Sequence, residues 1–153
     1  MISMRSKYAL KALSALARAT GKEAFLIAEL AQAENIPKKF LEAILLALKN
    51  QGILSSKKGP GGGYSLAKSP ASLTIGSIVR VFEGDLAPVP CLSEGAQGTC
   101  PECADEATCG IKLVMADVHV AISSVLDTVT LADMLERSEF ERQKRSQLLD
   151  FAI

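Results

Sequence analysis

Histidine occurs once in the 153 residues, at His119. No nucleophile–base pair and no paired carboxylates stand out along the chain, so the usual apparatus of acid–base or covalent catalysis is not evident and an enzyme is not expected. No apolar run approaches the roughly 18 residues that span a bilayer, so no membrane partner is expected. The first residues, MISMRSKYALKALSALARA, lack the unbroken apolar block of a secretory signal, because Lys7, Lys11 and Arg18 interrupt it. That segment is expected to be an amphipathic helix of the mature fold, in a cytoplasmic protein. Internal repeats are absent. So is net charge, with 17 Lys/Arg against 17 Asp/Glu.

The zero balance hides a division. Residues 1–70 carry 11 Lys/Arg against 4 Asp/Glu, whereas residues 71–153 carry 6 against 13. A basic half suggests a polyanionic partner for that half alone, although such a split also arises on plain solvated faces. Hydrophobic residues make up 48% and charged residues 22%, which fits one globular domain with a real core, or a small domain with an appendage.

Hydrophobic periodicity organises the basic half. From Ser6 to Thr20, Tyr8, Ala9, Leu13, Leu16 and Ala17 recur at helical spacing, with Gly21 as a stop. In FLIAELAQAENI, Ile27, Leu30 and Ala31 mark a short second helix, and Ala28 and Ala33 are small enough for close packing. It ends at Asn35-Ile36-Pro37, and proline suits the first turn of the next helix. The third helix, PKKFLEAILLALKNQG, has the stripe Phe40, Leu41, Ile44, Leu45 and Leu48 and closes at Gly52. Two short helices joined by a tight turn, with a third before them, form the helix-turn-helix pattern. Ile53 and Leu54 then begin a strand, and Tyr64, Ser65 and Leu66 its return, around the basic, glycine-rich tip KKGPGGG. A basic hairpin in that position is a wing. It lacks the G-x-x-x-x-G-K-[ST] order of a nucleotide site.

In the acidic half, SLTIGSIVRVFEG predicts a fourth helix, capped by Ser72 or Thr74, striped by Ile75, Ile78, Val79 and Phe82, and ended by Gly84. LAPVP is an irregular connector. IKLVMADVHVAISSVLDTV predicts a long helix with Ile111, Val114, Met115, Val118, Ile122, Val125, Leu126 and Val129 on a wide apolar face. Its β-branched residues are poor helix formers, so burial must hold it. Pairing with the same helix of a second subunit is expected. The fold class is therefore mainly α with a small β-hairpin wing: a winged helix-turn-helix domain over 1–70, then a linker helix, a cysteine loop (91–109) and a dimerisation helix (110–129) within 71–135. A charged tail, helical or frayed, follows over 136–153.

The third helix is expected to enter a major groove with its N-terminal residues leading. Lys38 and Lys39 can reach phosphate or a guanine edge, Glu42 a cytosine amine, and Ala43 a thymine methyl. Lys49 at the far end reads as solvated. On the hairpin, Lys57 and Lys58 would meet phosphates or a minor groove, and Gly59, Gly61, Gly62, Gly63 and Tyr64 would let the backbone come close.

All four cysteines fall within CLSEGAQGTCPECADEATC, residues 91–109, spaced C-x8-C-x2-C-x5-C. Cysteines acting as small hydrophobes would be scattered through apolar segments. Four thiols in one polar loop can close on a tetrahedral zinc or an iron–sulfur cluster. The spacing is unlike the paired C-x2-C of a zinc ribbon. Regulatory disulfides stay open as a metal-free alternative, whereas no βαβ pattern supports a thioredoxin-like role for Cys100-Pro101-Glu102-Cys103. Cys109 falls at the start of the long helix, where the dipole favours a thiolate. His119 reads as a packed or surface histidine.

The chain resembles the iron–sulfur cluster regulator family of bacterial winged-helix transcription factors, the IscR-like and NsrR-like proteins. The resemblance rests on SKYALKAL, IPKKFLEAILLALKNQGIL, KGPGGGYSLAKSP, the cysteine loop and TLADM, and covers about residues 3–135. It implies a homodimer with crossed long helices, one cluster per subunit, and a palindromic or near-palindromic DNA operator. It implies control of genes for cluster assembly, iron handling, or nitrosative and redox stress. It places base-reading residues at Lys38, Lys39, Phe40, Glu42 and Ala43. Lys58 stands where relatives often carry an arginine, and an ammonium lacks the bidentate fork. Relatives often use three cysteines and one other ligand. The IscR-like histidine position is Lys112 here, and the nearest position to the NsrR-like aspartate is Lys7; neither can ligate in that way. An all-cysteine set, Cys91, Cys100, Cys103 and Cys109, is expected instead, holding a [2Fe–2S] cluster in preference to [4Fe–4S], with zinc as the alternative.

Overall fold

The computed structural model describes residues 2–19, 24–95, 100, 102, 103 and 105–150. Helix α1 (Met4–Arg18) starts earlier than its apolar periodicity, because the Ser3 hydroxyl caps it by accepting from the Ser6 N–H at 3.4 Å. The expected stop at Gly21 lies outside the described residues. Helix α2 (Ile27–Glu34) ends on Asn35 at φ 52°, a left-handed conformation that asparagine tolerates, and the Ile36 N–H then bonds the Ala31 carbonyl at 2.9 Å. Leu30 and Ala31 are buried, while Ala28 and Ala33 are exposed. The close packing expected of those two alanines is not found, because an eight-residue helix lying on the core offers it only one face.

Helix α3 (Lys38–Asn50) follows Pro37 directly and buries Leu41, Ile44, Leu45 and Leu48. These side chains meet Ala9, Ala12 and Leu13 of α1 and Leu30 of α2 in one core. Strands β1 (Leu54–Lys57) and β2 (Gly63–Leu66) pair antiparallel, with Leu54 opposite Leu66 and Lys57 opposite Gly63. Phe25 adds a rung: its N–H donates to the Tyr64 carbonyl at 2.9 Å, and the Tyr64 N–H returns to Phe25 at 2.8 Å. The wing is thereby tied to the entry of α2.

Thr74 caps α4 (Ile75–Glu83), accepting from the Ser77 N–H at 3.1 Å. Ile78 and Val79 are fully buried. After a single 3-10 turn at Pro90–Leu92 and the cysteine loop come α5 (Gly110–Thr128) and α6 (Leu131–Asp150). The segment between α5 and α6 runs antiparallel to the segment before α4. Ile75 N–H bonds the Val129 carbonyl and Leu131 N–H the Leu73 carbonyl, both at 2.8 Å. Leu73 and Leu131 are buried there. The Arg80 guanidinium grips the Asp127 carboxylate with both nitrogens, Nη2–Oδ2 at 3.0 Å. The far end of the long helix is thus fastened to the winged domain.

Within one chain α5 buries no residue. Ile111, Leu113, Val114, Val118, Val120, Ile122 and Val125 are all exposed. The charged tail is helical: α6 continues without a break to Asp150, through the 135/136 boundary drawn from composition. None of the described helices is long and apolar enough to cross a membrane.

Candidate functional site

Two groups of residues carry chemistry. The first lies on α3 and the hairpin. Lys38, Lys39, Glu42, Ala43 and Lys49 are exposed, because the helix turns its apolar stripe to the core. Phe40 is only partly so: it stands 37% exposed, with its ring edge-on to Tyr8 at 5.7 Å. It therefore braces α3 against α1 while still showing a face to solvent. Lys57, Lys58, Gly59 and Gly61 are exposed at the hairpin tip, whereas Gly62 is buried and Gly63 and Tyr64 are half-buried. Gly63 has φ 138°, and a Cβ there would lie 2.1 Å from the Phe25 carbonyl oxygen. Its lack of a side chain serves the wing's attachment to α2.

The second group surrounds the start of α5. Cys109 is the residue before the helix, at the end where the first backbone N–H groups of α5 have no partner within the helix. The Lys112 amide, then the Cys103 thiol and the Ile111 amide, lower the Cys109 pKa, as the positive end of a helix does for a thiolate. Cys103 donates to it, with the sulfurs 3.6 Å apart. Cys103 is correspondingly pushed up to about 12, first by its bond to Cys109 and then by the neighbouring Cys100. The arrangement is one thiol donating to a second whose thiolate the site favours.

Glu106 organises the loop. One carboxylate oxygen accepts the Cys100 N–H at 2.8 Å and the other pairs with Lys112 Nζ at 2.7 Å. The lysine bond, then the amide, hold Glu106 below the usual carboxylate range, and Lys112 is raised in return. Lys112, in the position of the IscR-like histidine, is thus an ion-pair partner whose ammonium also feels Cys91 and Cys103. Asp85 holds the other limb, accepting from the Glu94 N–H at 2.7 Å and the Ala87 N–H at 3.2 Å. His119 Nε2 lies 3.9 Å from Asp85 Oδ1. It faces the connector and is not among the sulfurs. Cys91 sits on the Pro90–Leu92 turn, which packs against α5.

Sequence reasoning missed Glu106 and Asp85. A carboxylate three residues before Cys109 and six before Lys112, and another just after the Gly84 stop, were the available signals. Within the loop, residues 96–99, 101 and 104 fall outside the described residues.

The donor set suits a thiophilic metal. Two thiolates on one tetrahedral metal at about 2.3 Å would stand roughly 3.8 Å apart, close to the Cys103–Cys109 separation of 3.6 Å. Among the described residues no three Cys, His, Asp or Glu side chains are yet gathered closely enough to hold a metal ion. Cys91 and Cys100 must therefore close on the Cys103–Cys109 pair for all four to ligate.

A helix-turn-helix followed by an antiparallel wing defines a winged-helix DNA-binding protein. The chain belongs to the Rrf2 family, described as an iron-dependent transcriptional regulator, which matches residues 2–137. It is a DNA-binding transcriptional regulator, and its family is not one of enzymes. A protein of Rhodobacter capsulatus described as an rrf2-like HTH-type transcriptional regulator is 45% identical over 138 residues, 88% of this chain and 92% of that protein. The structure of CymR, the global cysteine regulator of B. subtilis, superposes with a TM-score of 0.73 at 28% identity, covering 90% of this chain and 97% of that one. The IscR structure of T. potens gives a TM-score of 0.70 at 28% identity, covering 90% and 88%. The family and the mainly helical, winged fold expected from the sequence are both borne out.

Proposed function

We propose that this regulator carries an iron–sulfur cluster on Cys91, Cys100, Cys103 and Cys109, and that loading of this site controls operator binding. The observation that carries the reading is the meeting of the Cys103 and Cys109 sulfurs, 3.6 Å apart, at the first turn of α5. The family's iron dependence and the likeness to an IscR support it. When bound, the cluster supplies a redox-active and labile centre. Everything else is done by the chain. Cys109 fixes the first turn of α5, and Lys112 and Glu106 hold the neighbouring loop limb against that turn. The opposite end of α5 is bonded to the start of α4 and salt-bridged to Arg80. A change at the sulfurs therefore has a continuous bonded path along α5 to α4, which packs on α1 of the winged domain.

The exposed apolar face of α5 pairs with a second copy in this reading. The resulting homodimer, in the cytoplasm, presents two reading helices to a palindromic or near-palindromic duplex, as two-fold symmetry requires. Four thiolates accept either cluster type, with [2Fe–2S] preferred. The test is purification without oxygen, with iron, sulfide and zinc measured per chain beside the visible spectrum. Iron and sulfide in comparable amounts are expected, lost in Cys109→Ala together with a change in operator affinity or choice. Unchanged iron content and unchanged DNA binding in that variant would overturn the reading.

A second reading is favoured by the same sulfur pair. A thiol donating to a neighbouring thiolate is also the starting geometry for a disulfide. A metal-free protein that refuses reconstitution with iron and sulfide and gains a Cys103–Cys109 disulfide on oxidation would establish a thiol switch. One zinc per chain would make the loop a structural staple.

A further inference from the structure

Leu46 is 51% exposed in the middle of the reading helix. The core face of α3 is made by Leu41, Ile44, Leu45 and Leu48. Diametrically opposite, one stripe runs Lys39, Ala43, Leu46 and Asn50, at successive spacings of four, three and four. All four of these residues are exposed. A helix that needs only to pack on its core would carry polar residues along that line. Here two of the four are apolar, and the leucine is the larger. The cavity beside α3, lined by Arg5, Lys39, Phe40, Ala43, Ile44, Ala47, Val81 and Phe82, does not include Leu46.

The occupant of this stripe is set by the fold and family: duplex DNA, entered by α3 in the major groove. The lysines at the helix start match a phosphate-lined groove in charge. The only apolar feature that groove offers to a side chain is the 5-methyl group of thymine. We infer that Leu46, together with Ala43, is a specificity-determining pair that reads thymine methyls further along the groove than Lys39, Ala43 about one helical turn on and Leu46 about two. Lys39 supplies the positive, groove-entering end. Ala43 and Leu46 select A·T pairs in the adjacent positions by burying methyls that no G·C pair possesses. The inference rests on the family's DNA binding and is independent of what the cysteine loop holds.

The probe is a randomised duplex library from which the native protein enriches its own sites. The enriched duplex is then resynthesised with each thymine replaced by uracil, which removes one methyl and leaves every hydrogen bond. Burying one methyl corresponds to about a three- to five-fold change in affinity. One or two positions are expected to lose affinity by that factor with the native protein. At the position that Leu46 reads, the same replacement is expected to cost Leu46→Ala less than 1.5-fold, whereas a position read by Ala43 keeps its penalty and uracil elsewhere in the site has no effect on either protein. Leu46 is exposed and alanine is the better helix former, so the variant keeps its fold; circular dichroism and the melting temperature verify this. Equal uracil penalties in the native protein and Leu46→Ala overturn the inference while leaving DNA binding intact. Failure to enrich any duplex overturns the DNA-binding reading and this inference with it.

Discussion

Ser6 shows how much a single small side chain holds. It is fully buried in α1, and its hydroxyl donates to the Glu83 carboxylate at the end of α4, where the Ser3 N–H also arrives at 2.9 Å. These donors, Ser3 foremost, lower the Glu83 pKa. Ser6→Ala removes one donor and is expected to cost about 1 kcal/mol, seen as a fall of about 2–4 °C in melting temperature for a chain of this size. Because Glu83 is depressed in the fold, its contribution is present above the unfolded value of about 4.3 and is lost as the pH falls through the folded one. The difference between native and Ser6→Ala melting temperatures should therefore shrink on acidification. Gly63→Ala is a harsher change, since the added Cβ meets the Phe25 carbonyl at 2.1 Å from a left-handed backbone. It is expected to cost roughly 1–3 kcal/mol, with hydrogen exchange rising first at Phe25 and Tyr64 as the wing detaches. The glycine run was legible in the sequence as a turn that admits close approach. That the approach at Gly63 is to the chain's own Phe25 was not, because the two residues are far apart in sequence and only the fold brings them together.

At the scale of elements, α3 and α5 depend on opposite conditions. The core stripe of α3 repeats at helical spacing and finds its partners inside the chain, so periodicity alone sufficed to place it. Helix α5 is apolar around most of its circumference and buries nothing within one chain. Ile122→Glu is expected to turn a dimer into a monomer, read by sedimentation, while leaving the circular dichroism of the winged domain unchanged. The junction of α4 and α5 rests on Arg80 and Asp127. Asp127 is lowered mainly by its hydrogen bond to Arg80. The pair therefore helps from neutral pH down to about the unfolded aspartate value of 3.9 and is lost as the pH falls through the lower folded one. Both groups are partly exposed, so the effect on overall stability is small. Arg80→Ala is expected instead to loosen the end of α5, visible as faster exchange of the amides around Val129 and Leu131. The cap of α6 is local: in TLAD, Thr130 and Asp133 bond each other's backbone N–H groups at 2.8 and 3.1 Å.

At the scale of the whole molecule, the basic first half is the winged domain and the acidic second half holds the loop and the long helices. Operator affinity is expected to fall steeply with salt, and Lys39→Ala should lower the slope of log K against log salt by about one if Lys39 meets a phosphate. An unchanged slope with weakened affinity would assign Lys39 to a base edge instead.

The sequence by itself determined the helices, the wing, the family and the four thiols, because each is written in local spacing: a 3.6-residue repeat, a Gly-rich turn, cysteines within 19 residues. Long-range pairing was beyond it. Only the tertiary structure joined Cys103 to Cys109 while Glu106 pinned Cys100, and fastened Phe25 to Tyr64 and Arg80 to Asp127. The physical reason is the same in each case. A periodic pattern states which face of an element is apolar, but which groups meet across a turn or a core is settled by packing all elements at once.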